Sequence, residues 1–205
     1  RGQAVEAGQF NLEANITSLA SADVKTDQNA YGFYFLDGEG FYKAVRVQGQ
    51  YFNFETWNTS ATPELETKLD PSFSPAIKYA GQENHLRLAC TKDGCELYAN
   101  DTLAGRWQTG INGKVQTVGI FTASAWDESF GQVSFDNLDL SDNDAVMPNL
   151  TNYALEDDLT ADNSVFSATG MSGAFNAFNT DGFHFSPVIP YGYYSAKTGP
   201  ALQNT

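Results

Sequence analysis

Short runs in which apolar residues alternate with polar ones, each closed by a turn signal, constrain this chain more than any other feature. Phe10, Leu12, Ala14 and Ile16 alternate with Asn11, Glu13, Asn15 and Thr17. A period of two places one set of side chains on one face, so the segment predicts a half-buried strand. Tyr31 to Leu36 is almost continuously aromatic and apolar, the pattern of a central strand covered on both faces. Asp37-Gly38-Glu39-Gly40 turns the chain, Phe41 to Val47 alternates again, and Gly49-Gln50 turns into Tyr51, Phe52, Phe54 and Trp57. Leu86 to Ala104 predicts a hairpin, and Val115 to Phe121 and Val133 to Leu140 close the series. Pro63 to Asp70 alone reads as a helical turn. Many short strands with tight turns predict an all-β chain, an antiparallel jelly-roll sandwich.

Charge removes whole classes of partner. The 205 residues carry 11 Lys+Arg against 25 Asp+Glu, a net charge of −14. Such a field repels phosphate backbones and anionic lipid, which excludes nucleic acid and membrane surfaces as main partners. No apolar run approaches the roughly 20 residues of a membrane-spanning helix. Hydrophobic residues, at 41 %, suffice for a core. The opening Arg1-Gly2-Gln3, with no initiator Met, predicts a processed or excised product.

Cys90 and Cys95 end two alternating runs separated by Lys92-Asp93-Gly94, a hairpin turn signal. Opposed strand residues lie about 4.5–5.5 Å apart at Cα, within disulfide reach. A cross-hairpin disulfide implies an oxidising setting, extracellular or at the cell surface. The spacing is not Cys-x-x-Cys and no second pair exists, which speaks against a redox or metal pair.

After Leu140 the composition shifts. Residues 141–152 read as a linker, and residues 153–205 are rich in Gly, Asn, Ser, Thr and Phe. This last segment holds strand-like pieces at Val165 and Phe166, at Phe183 and Phe185, and at Tyr191, Tyr193 and Tyr194, but too few aliphatic residues for a core of its own.

Residues 8–140 resemble the concanavalin A-like lectin/glucanase superfamily, in its secreted bacterial jelly-roll modules. The resemblance is carried by Gly8 to Ile16, Ala30 to Phe35, Gly40-Phe41-Tyr42, Asn84 to Leu88, Leu97 to Leu103, Val118 to Phe121 and Val133 to Leu138. Such modules carry several tens of residues before the strand that matches Phe10. Here residues 153–205 resemble that missing opening: Glu156 to Phe166, Asp181 to Phe185, and Tyr191 to Tyr194. The resemblance therefore implies a body, 1–140, whose opening strands are moved to the C-terminus. Three arrangements satisfy that order: a circular permutant folding on itself, a segment donated to the next subunit, or one repeat cut from a tandem array.

The glucanase branch of that superfamily uses acids spaced Glu-x-Asp-x-x-Glu. That spacing is absent: Glu64 and Glu66 fall in the helical stretch, and Asp127 and Glu128 are adjacent. His85 and His184 have no neighbouring ligand residues in sequence, and no nucleophile elbow, phosphate loop or zinc spacing occurs. The expectation is a chain that is not an enzyme. Asp136, Asp139, Asp142 and Asp144 form the densest oxygen-ligand cluster, a candidate calcium site in a superfamily that often binds it. Trp57, Trp107 and Trp126 could pack in the core or rim or stack on sugar; Trp126, in a loop-like stretch, is the best candidate for stacking. Asn15, Asn58, Asn100 and Asn149 open N-glycosylation sequons.

Two functions follow. One is a secreted structural subunit that builds a filament from copies of itself, head to tail, by donating residues 153–205. The other is a non-catalytic carbohydrate-binding module whose partners are glycans.

Overall fold

A computed structural model describes residues 9–19, 29–59, 65–124, 132–141, 153–157, 166–169, 174–179, 182–187 and 193–198. The body strands are β1 (Gln9–Leu19), β2 (Asn29–Leu36), β3 (Phe41–Gln48), β4 (Tyr51–Asn58), β5 (Leu65–Lys68), β6 (Ser72–Phe73), β7 (Glu83–Thr91), β8 (Gly94–Ala99), β9 (Thr102–Trp107), β10 (Thr117–Ser124) and β11 (Gln132–Ser141). The C-terminal strands are β12 (Tyr153–Asp157), β13 (Phe166–Thr169), β14 (Ala174–Asn179), β15 (Gly182–Pro187) and β16 (Tyr193–Thr198). They form two antiparallel sheets of eight strands. The first runs β14-β15-β11-β1-β7-β8-β9, with β12 also on β11; the second runs β13-β16-β10-β2-β3-β4-β5, with β6 on β4. Two such sheets closed on one core make an all-β jelly-roll sandwich. Among the described residues no helix is long and apolar enough to cross a membrane.

Alternation decides what each strand gives to the core. Phe10, Leu12, Ala14 and Ile16 of β1 face Phe33 and Phe35 of β2, Val45 and Val47 of β3, and Phe52 and Phe54 of β4 across the sandwich. Burying one such side chain contributes about 1.5–3 kcal/mol, so this layer dominates stability. β2 is buried along nearly its whole length because its second face carries a smaller apolar cluster: Tyr34, Ala44 and Phe121, with Tyr42 against them.

Turn chemistry fixes the registers. Gly49, at φ 58°, occupies the first position of the two-residue β3–β4 turn, where a hairpin needs positive φ. Asn100 and Asp101, at φ 50° and 65°, do the same for β8–β9.

Two buried polar hubs hold the loops. Lys43 Nζ donates to Asp37 Oδ2 at 2.5 Å and to the Gly110 carbonyl at 2.9 Å, and Asp37 Oδ2 also accepts the Asn112 amide at 2.9 Å. Asn84 accepts from the Lys78 amide and donates to the Lys78 carbonyl, at 2.8 and 3.2 Å, and Asn84 Nδ2 lies 3.4 Å from the Tyr31 hydroxyl. Burial raises the Tyr31 phenol above its usual range, against the hydrogen bond from Asn84.

One expectation is corrected. Residues 65–68 of the stretch read as a helical turn are a strand, β5, pairing Glu55 with Lys68 and Trp57 with Leu65. An isolated helix below about 12–15 residues is marginal in water, whereas the open edge of β4 satisfies the backbone directly. Leu69 and Asp70 follow β5 outside any helix, and Pro63 and Glu64 lie outside the described residues.

The C-terminal strands seat on the body of the same chain. β16 pairs with β10 from Gly119↔Lys197 to Ala123↔Tyr193, and β13 pairs with β16. β15 covers Val133–Phe135 of β11, and β12 covers Leu138–Ser141. Phe166, Phe183, Phe185, Tyr193 and Tyr194 thus lie in paired strands, while Val165 and Tyr191 lie outside the described residues.

Candidate functional site

The β3–β4 hairpin sorts its residues by parity. Val45, Val47, Phe52 and Phe54 enter the core, so Arg46, Gln48, Tyr51, Asn53, Glu55 and Trp57 take the outer face of the second sheet. Register then sets Arg46 opposite Asn53, and Glu55 opposite Lys68 of β5. Glu55 is the centre of this group, its side chain only 2 % exposed. Its Oε1 accepts from Asn53 Nδ2 at 3.0 Å, and its Oε2 accepts from Trp57 Nε1 at 3.1 Å. Arg46 Nη1 and Lys68 Nζ approach Oε1 at 3.8 and 4.0 Å. A carboxylate this enclosed is tolerable only because donors and cations surround it.

Beside this group lies a cleft of about 610 Å³, lined by Arg46, Gln48, Tyr51, Asn53, Lys68 and Phe73 among others. The volume suits a small ligand. Tyr51 and Phe73 meet edge to face, ring centroids 5.7 Å apart, and with Tyr79 each is more than half exposed. Exposed rings beside amide, guanidinium and ammonium groups make a surface that stacks on an apolar ring face and hydrogen-bonds its polar rim. The alternation Asn53-Phe54-Glu55-Thr56-Trp57 was the signal in sequence; its pairing with Arg46 follows from the turn at Gly49-Gln50.

The other expected residues fall elsewhere. Trp107, partly buried, packs against the core rings Phe52 and Phe54 at centroid distances of 5.8 and 5.2 Å. Trp126, the residue expected to stack on sugar, lies outside the described residues, as do Asp127, Glu128, Asp142, Asp144 and Asn149. Asp136 and Asp139 sit on β11 either side of a bulge at Asn137, φ 51°, opposite Asn15 and Glu13 of β1. Among the described residues no group of three or more His, Cys, Asp or Glu is placed to hold a metal ion. Cys90 and Cys95 are directly opposed in the β7–β8 ladder and disulfide-bonded, Cα atoms 4.1 Å apart. A recess of about 730 Å³ beside them is lined by Phe10, Arg106 and Trp107 among others, and there Arg106 Nε donates to Glu96 at 2.6 Å.

Three sequon asparagines are described. Asn58 donates to Glu66 at 2.9 Å at the end of β4, and Asn15 is half-buried in the middle of the first sheet. Asn100 is committed to structure: its Nδ2 donates to the Ala76 carbonyl at 2.8 Å and its Oδ1 accepts the His85 amide at 3.1 Å. His85 lies on the outer face of β7, Nε2 3.2 Å from Glu13 Oε2 and Nδ1 3.9 Å from Asp101. The Glu13 hydrogen bond raises its pKa above the usual imidazole value, against the effect of partial burial. His184 lies in β15, its backbone paired with Ser134.

No family model matches the chain, and no curated protein sequence matches it. Among solved structures it is similar to sheep galectin-11 in complex with glycerol, at 10 % identity and a TM-score of 0.47 over 68 % of this chain and 95 % of that one. It is similar to the carbohydrate-binding module CBM66 from Bacillus subtilis, at 14 % identity and a TM-score of 0.46 over 65 % of this chain and 74 % of that one. It is also similar to an alginate lyase from a Corynebacterium species, at 12 % identity and a TM-score of 0.38 over 65 % of this chain and 58 % of that one. The strand order and pairing themselves define the fold.

Proposed function

We propose that this chain is a non-catalytic carbohydrate-binding module that holds saccharide on the outer face of its second sheet. One observation carries the reading: Glu55, fixed by Asn53 and Trp57 and flanked by Arg46 and Lys68, stands beside a cleft with exposed Tyr51 and Phe73. Sugars offer a ring face that stacks on aromatics and hydroxyls that both donate and accept, and this face supplies partners for each. Among the described residues no carboxylate lines the cleft, which supports binding rather than hydrolysis by an acid pair. The disulfide supports an extracellular setting. The pairing of β15 with β11 and of β16 with β10 within one chain supports a self-contained module, so the reading does not rest on strand donation to a neighbouring copy.

The test is a glycan microarray probed with the full chain, followed by Tyr51→Ser and Trp57→Phe. Retention of one glycan class, weakened in both variants, supports the proposal. A folded protein that retains no glycan, or whose retention neither variant changes, overturns it.

A further inference from the structure

We propose that the saccharide taken by the outer-face cleft is acidic, a uronate-containing oligosaccharide whose carboxylate meets Arg46 and Lys68. The inference rests on the saccharide-binding reading above and adds the charge of the ligand to it. Across the whole chain, acids outnumber bases by 25 to 11. The cleft reverses that balance: among the described residues its lining holds Arg46 and Lys68 and no Asp or Glu.

Glu55, the acid that pairs with both cations, is 2 % exposed and is not part of the cleft's lining. Its two oxygens accept from Asn53 and Trp57. Its distances to Arg46 and Lys68, 3.8 and 4.0 Å, are ion-pair contacts longer than hydrogen bonds. Glu55 therefore orients the two cations, while Arg46, 13 % exposed, also donates from Nη2 to Gln48 Oε1 at 3.3 Å. Lys68 keeps 44 % of its side chain exposed at the edge strand β5, where an incoming anion reaches it. A guanidinium fork and an ammonium on this face match a carboxylate better than a hydroxyl, because hydrogen bonds with an ionised partner are about twice as strong as neutral ones.

The net charge of −14 opposes an anionic ligand at long range. At physiological ionic strength exposed charges are screened beyond about 8 Å, so the cations in contact decide the sign at the cleft.

Isothermal titration of the full chain tests this with hexameric oligogalacturonate, oligomannuronate and oligoguluronate, each against its methyl ester. The expected result is one acid hexamer bound about tenfold more tightly than its ester, a gap of about 1.4 kcal/mol. Arg46→Gln and Lys68→Met should each narrow the gap, weakening the acid hexamer more than its ester. Lys68→Met, at an exposed edge, keeps the test open if Arg46→Gln fails to fold. Equal binding of acid and ester overturns the acidic ligand and leaves the saccharide reading standing. Absence of binding by every hexamer overturns the acidic ligand, and the microarray then decides whether any saccharide reading survives.

Discussion

The indole Nε1–H of Trp57 donates to Glu55 Oε2 at 3.1 Å, two residues back along the same strand face. This bond holds the indole against a buried anion, which in turn holds Arg46 and Asn53 of the neighbouring positions. The site is thus built on the register of one hairpin, and a rigid strand pair positions it better than loops would.

Replacing Glu55 tests that arrangement. Glu55→Gln removes the charge that Arg46 and Lys68 face and leaves Asn53 Nδ2 to compete for a single carbonyl oxygen. Saccharide retention should fall by about tenfold, the scale of one charge-assisted hydrogen bond. Affinity electrophoresis through glycan-loaded gels measures it, and unchanged mobility would separate Glu55 from binding.

Asp37 and Lys43 form a stability hub remote from the cleft lining. Both side chains are almost fully buried, so Asp37→Asn leaves the enclosed ammonium only the partly exposed Glu39, 3.2 Å away, as counter-charge. Removing one partner of a buried pair costs about 3–5 kcal/mol. Urea unfolding should show a shift of that size; a shift below about 1 kcal/mol would mean that the Gly110 carbonyl and Glu39 suffice for Lys43.

Gly105 permits the packing of Phe52. A Cβ at Gly105 would overlap the Phe52 ring, which packs edge to face on Trp107. Gly105→Ala should cost about 1–3 kcal/mol by overpacking. Thermal unfolding followed by tryptophan fluorescence reads it, and an unchanged midpoint would show that the ring yields freely.

His85 gives the protein a pH dependence of known sign. Its folded pKa is raised, chiefly by Glu13, so the native state binds a proton more tightly than the unfolded chain does. The stabilisation is complete below the unfolded value of about 6.5 and disappears as pH rises through the higher folded value. The group is 39 % exposed, so the effect should be small. His85→Gln should flatten the urea midpoint as pH rises from about 6.5; an identical slope would remove His85 from the account.

Much of the fold is legible in the chain because it is written locally. Phe10 to Ile16 alternates, Tyr31 to Leu36 is apolar throughout, and Cys90 and Cys95 bracket a tight turn, and each feature needs no information from elsewhere. Leu65–Lys68 is different: its helical pattern is local, but the edge of β4 that claims it is not. Ala174–Asn179 repeats Ala-Phe-Asn with a period of three, so no strand rhythm announces β14. At the candidate site, Asn53, Glu55 and Trp57 share a face by parity alone. Arg46 joins them only through hairpin register, and Lys68 only once β5 is known to be a strand. Attention to isolated tryptophans pointed instead to Trp126.

The central claim is that saccharide binds on the outer face of β3, β4 and β5. The most direct test is a two-dimensional NMR titration of the isotope-labelled full chain with the glycan selected on the microarray. The account predicts that shifts concentrate at the Trp57 indole N–H, the Asn53 side-chain amide, the Arg46 Nε–H and the Tyr51 backbone amide. Saturating shifts confined to the outer face of the first sheet, around His85, Arg87 and Tyr98, with the Trp57 indole unmoved, would contradict it.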